Sequence, residues 1–154
     1  MRRHWLPVVA LAVGLFGVNV VARLVTRLAF NGNTAAADRA SMVMFAVIGV
    51  VLAVVVFVRA RREPVDRWVL EVSGAAMLAM LLTVFIGPFI SGSGPFASGA
   101  GAFFSQIWLY SGFAIGGTLV GYLLVTALGW DYRSQSLKRY AERGLSKPRR
   151  VVRR

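Results

Sequence analysis

Residues 41–67 read SMVMFAVIGVVLAVVVFVRARREPVDR, and the fold turns on how those letters divide. Residues 41–58 carry no charge, whereas the nine that follow carry four arginines. An α-helix rises roughly 1.5 Å per residue, so residues 41–58 reach about 27 Å, close to the ~30 Å hydrocarbon core of a bilayer. Lipid offers the backbone no hydrogen bonds, so such a run must satisfy its own N–H and C=O groups as a helix. The alternating pattern of a membrane β-barrel is absent.

Three similar runs lie on either side of it: Trp5–Ala22, Trp68–Ile90 and Phe103–Trp130. With 57% hydrophobic residues over 154 positions and a mean hydropathy of +0.66, the chain is too apolar for a soluble domain. The expectation is an all-α integral membrane four-helix bundle over residues 1–130. Its helices are predicted at about 5–30, 35–60, 66–90 and 103–130, with a basic tail over 131–154.

The distribution of Lys and Arg predicts the orientation. The N-terminal segment holds Arg2 and Arg3, and the first connection holds Arg23, Arg27 and Arg39. The second holds Arg59, Arg61, Arg62 and Arg67, the third holds none, and nine cations follow Trp130. Placing both termini inside puts 15 cations inside and 3 outside, as the retention of positive charge in the cytoplasm requires. The same rule accounts for most of the +12 net charge and argues against nucleic acid as the partner. The N-terminal stretch resembles a signal peptide. However, Arg23 and Arg27 intervene before the small residues Ala35–Ala37, so an uncleaved first helix that also directs insertion is expected.

With no cysteine and one histidine, the chain offers neither disulfides nor thiolate chemistry, and no cofactor or metal site is predicted. Arginine outnumbers lysine 16 to 2 in a background rich in Ala, Val and Gly, a bias associated with bacterial genomes of high GC content.

A few polar and small residues stand out. Asn19, Arg23 and Arg27 recur at intervals of four and so share a face near the outer end of the first helix, with Asp38 the one outer carboxylate. Arg23 and Arg27 are expected to snorkel to the outer surface or pair with Asp38. Their alternative is a cationic patch for an anionic lipid or solute. Glu71 lies four residues beyond Arg67, so an interfacial Glu71–Arg67 pair is expected. The segment GPFISGSGPFASGA, residues 87–100, is an imperfect tandem repeat. It reads as an uncharged outer connection, or as a loop that re-enters the bilayer. In the fourth run, Gly112 and Gly116 form one small-xxx-small pair and Gly117 and Gly121 another, a spacing that lets helices approach closely.

The tail is expected to form a basic amphipathic helix on the cytoplasmic side, with Leu137, Tyr140 and Ala141 at helical spacing. Lys138, Arg139, Arg143, Lys147, Arg149, Arg150, Arg153 and Arg154 are its candidate contacts for anionic phospholipids or an acidic partner. Together these features point to a non-enzymatic protein of a bacterial inner (cell) membrane, an accessory or interaction subunit of a larger assembly or a homo-oligomer. The alternative is a small oligomeric transporter or channel component for an anionic solute or lipid. An enzyme ranks third, because no carboxylates, histidines or thiols converge.

Overall fold

The computed structural model describes residues 5–30, 34–90, 92, 94, 96–97 and 99–145. The side chains of residues 27, 29, 30, 34–38, 144 and 145 lie outside that description. The described chain is helical, without strands: α1 (Trp5–Phe30), α2 (Thr34–Arg62), α3 (Val65–Leu81), a π-helical turn (Leu82–Ile86), α4 (Gly87–Ile90), α5 (Gly99–Ala127) and α6 (Tyr132–Leu145). Four spans are long and apolar enough to cross a membrane: α1, α2, α5, and the stretch Val65–Ile90 that joins α3, the π turn and α4. The fourth begins at Gly99, where the chain turns (φ 85°), rather than near residue 103.

Local chemistry sets the ends. Arg59, Arg61 and Arg62 occupy the last turn of α2 and Asp66 the first turn of α3, each favourable to its helix dipole. Pro64 caps α3 with φ −64°, where its missing N–H costs nothing. α5 ends at a left-handed Gly129 (φ 63°), with Trp130 N–H donating to Val125 O at 3.0 Å and Gly129 N–H to Thr126 O at 2.9 Å. Asp131 then caps α6, its Oδ2 accepting the Ser134 N–H at 3.1 Å.

The π turn has an identifiable cause. Pro88 has no N–H to donate, and its ring would collide with the carbonyl four residues back, that of Val84. Widening the helix over Leu82–Ile86 moves that carbonyl aside, and the Gly87 N–H donates to Leu82 O in the π pattern.

The packing is a chain of contacts rather than a closed ring. α2 packs most extensively on α5, α1 packs on α3 and on α2, and α3 meets α5 sparsely. Both principal pairs run parallel. Along α1 and the span that α3 begins, Val8 lies near Gly74 and Arg23 near Gly87; between α2 and α5, Gly49 meets Gly117 and Ala53 meets Gly121. The core is apolar toward the Arg59–Arg67 hairpin, where Ala12, Leu52, Val56, Val72, Ala75 and Val125 are buried. At this hairpin end Trp68 is also buried, its ring 5.6 Å from that of Tyr122. Phe57 and Trp130 meet edge to face, and the Arg61 guanidinium lies 4.8 Å from the Trp130 ring centroid.

Glu71 corrects the sequence reading. Its carboxylate pairs with Arg59 of α2, not with Arg67 one turn away on its own helix. The hairpin brings the end of α2 alongside α3, and Arg59 also approaches Glu63 at 4.0 Å. An intrahelical spacing rule counts only one of the two helices that supply cations here.

Candidate functional site

At the end of the bundle away from the hairpin, the core turns polar. Asn19 on α1 and Thr83 in the π turn are 0% exposed, and Tyr110 on α5 is 1% exposed. Each keeps a hydrogen-bonding atom without a protein partner: Asn19 Nδ2, Thr83 Oγ1 and Tyr110 Oη. Burying such a group unpaired costs roughly 1–3 kcal/mol; Trp68 Nε1 and Glu63 Oε2 are in the same condition at the hairpin end.

The three lie near one level. Arg23 rests against the Gly87 backbone, where a Cβ would come within 3.0 Å of Nε. Asn19 is one turn toward the hairpin from Arg23, and Thr83 stands about one turn toward it from Gly87. On the other side, the Ser111 hydroxyl approaches Met80 Sδ at 3.7 Å. Thr83 lies about 4 Å beyond Met80 and Tyr110 about 1.5 Å beyond Ser111, both away from the hairpin. Phe45 of α2 closes the fourth side, edge to face with Tyr110 at 6.3 Å.

Arg23 supplies the charge. Its guanidinium is partly buried and its Nε donates to Asn19 Oδ1 at 2.9 Å. Arginine only donates, so this bond fixes the amide orientation and leaves Nδ2 as the group facing away from Arg23. Helical side chains lean toward the N-terminus, which turns Arg23 back along α1 to Asn19 and onto Gly87 rather than straight out to a surface. Arg27 lies one turn further along α1, and its side chain, like that of Asp38, is outside the described residues.

The glycines of α5 divide by face. A Cβ at Gly117 or Gly121 would fall well inside contact with the backbone carbonyl of Gly49 or Ala53, so this pair sets the close approach of α5 to α2. Gly112 and Gly116 have nothing within 4 Å and border an open groove with Ala46, Gly49 and Val50. On α6, Lys138, Arg139 and Arg143 are exposed, as are Leu137 and Tyr140, and the helix touches the rest of the chain chiefly through α2. Lys147, Arg149, Arg150, Arg153 and Arg154 lie outside the described residues.

Sequence reasoning found Asn19 and Arg23 through their spacing but missed Thr83 and Tyr110. Gly87-Pro88 was the available signal for the first, since a proline late in an apolar run implies local disruption of the helix just before it. For Tyr110 there was none. No protein family, curated protein or solved structure matches the chain.

Proposed function

We propose that the chain is a non-enzymatic multi-pass protein of a bacterial inner membrane, with both termini cytoplasmic. In this reading it serves as an accessory or interaction subunit of a membrane assembly, and its basic C-terminal helix engages anionic lipid or an acidic partner. α6 is the observation that carries the reading. It is a capped helix of fourteen residues with Leu137 and Tyr140 exposed on one side and Lys138, Arg139 and Arg143 exposed on others, leaving the bundle at a left-handed glycine. A helix of that character buries its apolar side at a headgroup boundary or on another protein, while its cations meet negative charge. The open face at Gly112 and Gly116 supports a subunit role, because small residues let another span approach without opposing side chains.

Purification of the tagged chain from native membranes in mild detergent tests the assignment. A partner in fixed stoichiometry is expected, with recovery reduced when Lys138, Arg139 and Arg143 are changed to Gln. Recovery of the chain alone, or a partner indifferent to those changes, would remove the interaction role from α6.

A further inference from the structure

We propose that Phe89 and Phe96 anchor the end of the bundle opposite the hairpin in lipid, their rings below the headgroups of that leaflet while Gly94 stays at the water boundary. The inference does not depend on α6, on any protein partner, or on which side of the membrane is cytoplasmic.

The tandem repeat of the sequence is also a repeat of structure. Gly87-Pro88-Phe89 and Gly94-Pro95-Phe96 stand seven residues apart. Phe89 O accepts the Gly92 N–H at 3.1 Å, and Phe96 O accepts the Gly99 N–H at 2.9 Å. Both glycines are left-handed, with φ of 79° and 85°. Each phenylalanine therefore opens a turn of the same form, and the two are left 65% and 62% exposed. Ala97 N–H also donates to Gly94 O at 3.1 Å. Backbone near membrane depth has to satisfy its polar groups within the protein, and these turn bonds do so for three of its amides.

Charged residues give the depth of the rings. Glu71 of α3 pairs with Arg59 of α2, and an ion pair avoids the middle of a bilayer, so this one marks the hydrocarbon edge at the hairpin end. Arg39, exposed on α2, precedes Arg59 by twenty residues, roughly 30 Å along the axis and so about one hydrocarbon thickness. Phe85 follows Glu71 by fourteen residues, roughly 21 Å, and Phe89 by eighteen, roughly 27 Å. The Phe85 ring lies 5.9 Å from that of Phe103 on α5, and the Phe96 ring lies 4.7 Å from the same Phe103. After Ile90 the chain has thus folded back, bringing Phe96 to a level short of the far boundary. Any tilt of the helices lowers these heights further.

Composition selects lipid as what covers the rings. No charged residue occurs between Glu71 and Asp131, so nothing in this stretch recruits a charged partner or resists immersion. Phe85, Ile86 and Phe104 are exposed as well, and they continue the apolar surface of the spans up to the two phenylalanines. Aromatic rings exposed at that depth meet acyl chains, which removes their apolar area from water.

The test uses the full chain alone in phosphatidylcholine nanodiscs, where no protein partner can take the place of lipid. Because the chain has no cysteine, single nitroxide labels can be placed through Phe89→Cys, Phe96→Cys and Gly94→Cys. All three positions are exposed, and melting temperatures check that each labelled protein is folded. Collisions are then read with oxygen, which concentrates in lipid, and with a water-soluble nickel complex. Relative to Gly94, the labels at Phe89 and Phe96 are expected to favour oxygen over nickel severalfold. A preference for nickel at either phenylalanine would overturn the anchor. So would an oxygen preference at Gly94 equal to theirs, which would replace it with a loop that re-enters the bilayer. Adding Phe89→Ser to the protein labelled at Phe96 removes both rings and should raise its nickel collisions severalfold. No change there would mean that the phenylalanines do not hold this end of the bundle in lipid.

Discussion

At Gly117 a single methyl group is enough to push α5 off α2. A Cβ there would meet the Gly49 carbonyl, which is backbone and cannot rotate away, whereas a Cβ at Gly116 meets nothing within 4 Å. Gly117→Ala is therefore expected to destabilise the bundle by about 1–3 kcal/mol, the usual range for overpacking, and Gly116→Ala to leave it unchanged. Thermal unfolding of the two variants in the same detergent checks the contrast; equal melting temperatures would mean the helices are not in that register. The spacing of these glycines was plain in the sequence, but both pairs have the same spacing. Which pair faces α2 depends on the rotation of α5, and its apolar residues surround the helix too evenly to fix one. Glu71 teaches the same lesson: its partner Arg59 stands twelve residues away and becomes a neighbour only once the hairpin closes.

Among the elements, α6 carries a pH dependence whose sign follows from its cap. The Asp131 carboxyl is held below the usual carboxylate range by hydrogen bonds from Ser134, its side chain foremost, and from the Arg133 and Asp131 backbone, which outweigh the opposing effect of burial. A group lowered in the folded state stabilises that state above its unfolded pKa. That contribution is lost as pH falls through the folded value. Hydrogen exchange of the first α6 amides should accelerate, relative to the pH dependence of the intrinsic rate, as the medium is acidified below the normal carboxylate range. Asp131→Ala should abolish that acid limb and cost about 0.5–2 kcal/mol of helix stability at neutral pH. An acid limb that survives the substitution would place the titrating group elsewhere. The tail helix was legible from its spacing, but neither its Asp131 cap nor the π turn was read from the sequence; the π turn arises from Pro88 acting on a carbonyl one turn upstream.

For the whole molecule, length and hydropathy made four spans legible, and charge made an orientation predictable, but pairwise packing lay beyond both. Lipid-facing and core-facing residues are equally apolar in a bilayer, so hydrophobic periodicity does not say which helix lies beside which. The absence of cysteine gives the proposed orientation a direct measurement. Single cysteines at Glu63 and Gln135 are expected to react with a membrane-impermeant maleimide only in inside-out vesicles, and one at Gly94 only in intact cells. Labelling of Glu63→Cys from outside would reverse the orientation.

The parallel pairing of α2 with α5 has a consequence for biosynthesis. Translation delivers α2 by residue 62, yet the helix that fits its Gly49–Ala53 ledge is the fourth span, which is complete only at Ala127. The nascent chain must therefore hold α2 in the bilayer beside α1 through the synthesis of more than sixty further residues, with its main packing surface facing lipid or an insertion factor. A ribosome halted before Gly117 releases a protein that is inserted but not assembled.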